Sequence, residues 1–272
     1  MSRLDDTFAA LRARRRTGLI TYVTAGDPDL DRSASVLQAL DRAGADVLEV
    51  GVPFSDSVAD GPVIERAAER ARAAGGTLTS TLDLIERIRP GIRAPIVLFT
   101  YVNPLVAMGE RAFARRAAAA GVDGVLVLDL PIEEADALRA TLTTAAIDMI
   151  FLLSPTTTDE RIGRAAALGR GFLYAISRLG VTGARETLPE GARELVARIR
   201  VRTTLPVALG FGLSRPEHIQ QVGAWADAAV VGSALVSVIA EAADSPDLVE
   251  RVEQYVRWLK GAGSGTATTG QL

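Results

Sequence analysis

Cysteine is absent from this 272-residue chain, and histidine and lysine occur once each, as His218 and Lys260. Without cysteine there is neither a disulfide framework nor a thiolate metal site. One histidine and no cysteine argue against a zinc-assisted mechanism, which draws on several such ligands. A Schiff-base or pyridoxal phosphate enzyme needs a lysine deep in its site, whereas Lys260 lies in WLKGAG, a helical segment just ahead of the C-terminal tail. Neither a metal nor a cofactor is therefore expected. Also missing is an apolar run of about 18 residues that would span a bilayer. The N-terminal MSRLDDTFAALRARRR has basic residues but no apolar centre or cleavage site of a signal peptide, and its Leu4, Phe8 and Leu11 fall on one helix face. A formal charge of −3 and a pI near 5.4 give no electrostatic case for nucleic acid or an anionic membrane. The expected setting is the cytoplasm and the expected partner a small molecule or another protein, with chemistry drawn from Asp, Glu, Tyr, Ser and backbone dipoles.

What is present is apolar and periodic. Hydrophobic residues make up 48% of the chain and charged ones 23%, enough to bury a large core. Eight apolar runs recur: LITYVTA from 19, VLEVGV from 47, PIVLFTYV from 95, GVLVLDLP from 124, MIFLLSP from 149, GFLYAIS from 171, PVALGFG from 206 and AAVVGSALV from 228. Most are nearly unbroken and bounded by Gly, Pro or Asp, as suits parallel strands covered on both faces. Between them lie Ala- and Arg-rich segments with helical spacing, such as Val36, Leu37, Leu40 and Leu82, Ile85, Ile88. Eight strand–helix units predict an α/β fold, a (β/α)8 TIM barrel with an N-terminal helix and an extra helix, PVIERAAERARA, after strand 2. An open doubly wound sheet is the alternative, but no G-x-G-x-x-G follows the first strand. One catalytic domain is expected over residues 1–261, with a disordered tail over 262–272.

In such a barrel the active site lies at the C-terminal ends of the strands. Glu49 alternates with Leu48 and Val50, so if its face points inward, a carboxylate stands among barrel-core side chains. Burial raises a glutamate pKa above its usual value of about 4.3 and yields a group that exchanges protons near neutrality. Asp60 ends the loop that follows the same strand. The glycines Gly212 and Gly232, with Ser233 where the chain turns into ALVSVIAEA, leave amides open to a phosphate at a helix N-terminus, and Gly183 in GVTG is a further candidate. Simpler roles compete. Strand-end glycines often only form turns; Asp60 ahead of Gly61-Pro62 has the look of a helix cap; Asp129 suits a turn; Tyr174 suits the core. His218 is read as structural or solvated, on a surface helix.

The segments YVTAGDPD (22–29), LEVGVPFSDSVADGP (48–62), TYVNPL (100–105), GVDGVLVLDLPIEE (121–134), SRLGVTGAR (177–185), GFGLS (210–214) and VVGSALV (230–236) resemble the α subunit of tryptophan synthase, from about Phe8 to about Ala240. The resemblance implies a barrel that cleaves indole-3-glycerol phosphate to indole and glyceraldehyde 3-phosphate. It places the general acid–base at Glu49, an indole N–H acceptor at Asp60 and a site tyrosine at Tyr174. The phosphate falls to Gly183, Gly212, Gly232 and Ser233, while Thr182 joins the Asp60 loop on closure. It also implies a pyridoxal-dependent β subunit in an α2β2 heterotetramer, faced by Asp56, Ser57, Asn103 and Pro131. The family usually has SDP where this chain has Ser55-Asp56-Ser57. A free-standing indole-releasing lyase, a mainly β-activating binding subunit and another phosphate-binding barrel enzyme are the alternative readings.

Overall fold

The computed structural model describes residues 1–176, 190–210 and 212–261. Eight parallel strands pair in sequence order and the last closes on the first: β1 Gly18–Thr24, β2 Val47–Gly51, β3 Ile96–Thr100, β4 Gly124–Val127, β5 Asp148–Leu153, β6 Leu173–Ile176, β7 Val207–Gly210 and β8 Ala228–Val231. The helices are α1 Arg3–Ala13, α2 Leu30–Ala43, α3 Pro62–Ala73, α4 Leu78–Ile88, α5 Val102–Met108, α6 Glu110–Ala120, α7 Asp136–Thr144, α8 Asp159–Leu168, α9 Glu190–Arg200, α10 Pro216–Gly223, α11 Ser233–Glu241 and α12 Leu248–Leu259. The expected (β/α)8 barrel, its N-terminal helix and its extra helix, α3, are all present.

The unbroken apolar runs are explained by two cores, one on each face of the strands. Leu19, Val23, Leu48, Val50, Leu98 and Leu209 point outward onto the helices. The alternating set Ile20, Tyr22, Val47, Val97, Phe99, Leu126, Ile150 and Tyr174 fills the interior. Leu4, Phe8 and Leu11 of α1 join this inner core, so the helix plugs the N-terminal end of the barrel. Ser2 starts that helix with a capping box, its side chain taking the Asp5 amide while the Asp5 side chain takes the Ser2 amide. With one mouth plugged, the chemistry is left to the opposite end.

Two local readings change. The run PIVLFTYV does not continue as a strand past Thr100: Tyr101 is already the N-cap of α5, and Pro104 falls in that helix's first turn, where no intrahelical donor is needed. His218 lies on a helix as expected, but it is buried (3% exposed) on the inner face of α10 with Ile219 and Val222, and its Nδ1 accepts the Ser214 amide at 3.2 Å. Lys260 caps α12 with Nζ bonded to the Gly44 carbonyl and 3.3 Å from Asp46. Among the described residues no helix is long and apolar enough to cross a membrane. The tail over 262–272 lies outside the described residues.

Candidate active site

Strand alternation sets the site. Glu49 is flanked in register by Tyr22 on β1 and Val97 on β3, and its side chain points into the barrel with that of Val47. It is 1% exposed, and among the described residues neither Oε1 nor Oε2 has a hydrogen-bond partner. Burial without compensation favours the neutral form and lifts the Glu49 pKa to about 8. A structural carboxylate this deep would be paired; one with both oxygens free is available to a ligand.

Glycines make room around it. A Cβ at Gly51 would land on the Tyr22 hydroxyl and a Cβ at Gly210 on the Tyr174 hydroxyl, so each tyrosine reaches over a glycine of the next strand. The Tyr22 ring meets Phe99 edge-on at 5.1 Å. Burial, reinforced by Glu49, keeps both phenols well above their usual pKa, and Asp60 adds to the effect at Tyr22.

Asp60 approaches from the loop after β2. The cap of α3 is Gly61, with Pro62 in the first turn and no side-chain capping bond, so the capping role open to Asp60 is not the one it takes. Its carboxyl faces the Tyr101 hydroxyl instead. Burial raises its pKa to about 6, the Tyr101 contact opposing this and Glu65 adding to it. Glu49, Asp60 and Tyr174 line one cleft of about 520 Å3, mouth included, with Tyr22, Phe99, Leu128 and Ile64 as apolar walls.

The predicted phosphate residues Gly212, Gly232 and Ser233 line the same cleft. Gly232 is the N-cap of α11, and the first intrahelical bond runs from the Val236 amide to the Gly232 carbonyl at 3.0 Å. The amides of Ser233 and its successors precede that bond and gather at the helix N-terminus, as anion binding requires. Gly212 has φ +80°, a conformation that other residues adopt only with strain. Thr182 and Gly183 lie outside the described residues. Asp56, Asn103 and Pro131 are exposed and Ser57 half-buried; Asp56 and Ser57 lie on the loop after β2, Asn103 in the first turn of α5 and Pro131 after β4. Asp129 accepts the Val102 amide at 2.7 Å, so it ties the end of β4 to the start of α5 and does more than shape a turn.

Sequence reasoning missed the walls. Tyr22 and Leu128 follow from the alternation already applied to Glu49, since Tyr22 keeps step with Ile20, and Leu128 with Leu126. Ile64 carries no such signal, because it enters from α3 through the fold of the loop after β2.

Fold and site together define a (β/α)8 barrel with a buried, unpaired glutamate in a cleft of largely apolar walls that also holds a helix N-terminus. A family model described as tryptophan synthase alpha chain matches residues 8–263, and the chain belongs to that family. It is 47% identical to the tryptophan synthase alpha chain of Gloeobacter violaceus, covering 96% of this chain and 94% of that one. To that of Geobacter sulfurreducens it is 46% identical, covering 96% and 99%. Among solved structures, a Mycobacterium tuberculosis tryptophan synthase superposes with a TM-score of 0.89 at 38% identity, covering 96% of this chain and 98% of that one. The alpha subunit from Legionella pneumophila gives 0.88 at 34%, covering 96% and 98%. The protein is thus a carbon–carbon lyase of tryptophan biosynthesis, cleaving indole-3-glycerol phosphate to indole and glyceraldehyde 3-phosphate.

Proposed function

We infer that Glu49 moves the protons of this cleavage and that Asp60 reads the indole nitrogen. The bond to be broken joins indole C3 to the carbinol carbon of the glycerol chain. Neutral Glu49 gives its proton to C3, and positive charge develops at the ring nitrogen, where the Asp60 carboxylate accepts the N–H. Glu49, now ionised, takes the proton of the carbinol hydroxyl. The C–C bond then breaks, its electron pair returns to the ring and neutralises the nitrogen, and an aldehyde forms. Glu49 ends in the state in which it began. The observation that carries this reading is the pair of buried, partnerless Glu49 oxygens facing the cleft. Indole release by the isolated chain tests it: the wild type turns over and Asp60→Asn loses most of its rate, whereas an Asp60→Asn protein as fast as the wild type contradicts the assignment.

The phosphate end is assigned to Gly212, Gly232 and Ser233, with Gly183 by resemblance. Gly232→Val and Gly212→Val are expected to weaken glyceraldehyde 3-phosphate binding at least about tenfold, the first by crowding the α11 amides and the second by straining a left-handed backbone as well. Calorimetry on folded protein checks this, and unchanged affinity in both variants moves the phosphate elsewhere.

A β subunit is the proposed macromolecular partner, in an α2β2 assembly, with residues 1–261 as one catalytic barrel in the cytoplasm. Two of the exposed large apolar side chains, Val58 at 81% and Val106 at 61%, stand beside Asp56 and Asn103, a surface that association would cover. Ser57 sits within the loop's own turns. The Val58 amide reaches the Asp56 carbonyl and the Asp60 amide the Ser57 carbonyl, each at 3.0 Å, while among the described residues the Ser57 amide donates to nothing. Ser57→Pro therefore removes no observed bond and stiffens the free loop. The variant is expected to gain in β-stimulated turnover with little change in intrinsic rate. Titration with a β subunit at saturating substrate measures this, and identical stimulation of both proteins shows that position 57 does not limit coupling.

A further inference from the structure

Tyr101 is 2% exposed and lies just past β3, where the chain turns into α5. Its ring is seated against Phe54 at 5.2 Å, and its backbone is steadied by the Asp129 bond to the next amide, that of Val102, at 2.7 Å. The hydroxyl accepts the Ala59 amide at 3.2 Å, which leaves its own proton to be donated. The acidic group beside it is the carboxyl of the following residue, Asp60. One phenol thus faces two consecutive residues of the loop, bonded to the backbone of the first and set beside the carboxyl of the second.

We propose that Tyr101 is a positioning residue for Asp60: by taking the Ala59 amide and donating to the Asp60 carboxylate, it fixes which carboxylate oxygen is left to accept the indole N–H. The proposal rests on the reading of Asp60 as that acceptor. A donated hydrogen bond favours the ionised carboxylate, so Tyr101 also keeps Asp60 charged against the burial that would neutralise it. The other groups facing this pair among the described residues are Glu65 from α3, Tyr22 from β1 and, toward Tyr101, Asp129 from the turn after β4, while Glu49 of β2 lines the same cleft. Among the described residues Tyr101 is the side chain that hydrogen-bonds to Asp60, whereas Tyr22 feels Asp60 through charge alone and has Thr24 as its hydroxyl contact at 3.4 Å.

The test compares the full-length wild type, Tyr101→Phe and Asp60→Asn. The kcat/KM profile against pH is measured alongside the titration of the Asp60 carboxyl carbon, assigned by its loss in Asp60→Asn. Removing the hydroxyl destabilises the ionised form, so the Asp60 midpoint and the acid limb of the profile should both rise by about one pH unit. The basic limb should stay where it is, and activity should recover as pH approaches it. A merely structural loosening would lower the rate at every pH without moving the midpoint. An Asp60 midpoint unchanged in Tyr101→Phe overturns the proposal, whatever happens to the rate. Full turnover by Asp60→Asn overturns the underlying role of Asp60, and the proposal with it. Should Tyr101→Phe not fold, wild-type protein labelled at the tyrosine ring carbon bearing the hydroxyl carries the test, with Tyr22→Phe to identify the neighbouring signal. The Tyr101 signal should then inflect at the Asp60 midpoint and lose that inflection in Asp60→Asn, and a Tyr101 signal with no such inflection overturns the proposal.

Discussion

Glu49→Gln is expected to lower indole release from indole-3-glycerol phosphate by at least about 10²–10⁴, the usual loss on removing one positioned acid–base, and by more if both proton transfers pass through this side chain. Glutamine has nearly the same shape, and the site holds no hydrogen bond to Glu49 that the change would break. Glyceraldehyde 3-phosphate should therefore bind the variant as it binds the wild type, since the residues proposed for the phosphate, Gly212, Gly232 and Ser233, are unchanged. A steady-state assay with product-binding calorimetry separates the two effects. Wild-type turnover in Glu49→Gln sinks the assignment, and lost phosphate affinity would mean that the substitution disturbed more than proton transfer.

The same carboxyl has a measurable cost in stability. The unfolded chain ionises Glu49 near pH 4.5, whereas the folded protein holds its proton to about pH 8. Between those values the folded state binds the extra proton, so the Glu49 contribution falls as pH rises through the window and is constant outside it. The loss is on the order of a few kcal/mol. Glutamine does not titrate, and the difference in unfolding free energy between Glu49→Gln and wild type cancels the other groups, Asp60 among them. The variant should therefore gain on the wild type from pH 5 to pH 8 in denaturant titrations. A difference that stays flat across that range would show that Glu49 is ionised at neutrality in the folded protein.

The barrel was legible because its strands are coated on both faces: outward Leu48 and inward Glu49 stand in one apolar run, and a parallel sheet is the arrangement that accepts such a run. Glu49 stood out for the same reason, as a charge in a strand with no polar face. Asp60 was less legible. Asp-Gly-Pro is equally good chemistry for a helix cap, and only the folded loop shows Gly61 taking the cap position while Asp60 turns to Tyr101. Where strand and helix abut without a polar break, as at Thr100-Tyr101-Val102, apolar content does not mark the boundary, and so the N-cap role of Tyr101 was hidden. For His218 the sequence left a structural and a solvated role open, and the helical step from 218 to 222, which turns it inward with Val222, selects the structural one.

The central claim is that Glu49 enters the reaction as a neutral acid, and its most direct measurement is the titration of its carboxyl carbon in ligand-free protein labelled at glutamate, with the signal identified by its absence in Glu49→Gln. The account predicts a single transition near pH 8, so that the proton needed at indole C3 is in place at neutrality. A transition near the ordinary glutamate value, close to 4.5, would mean that Glu49 is already a carboxylate when substrate arrives, and another group would have to supply that proton.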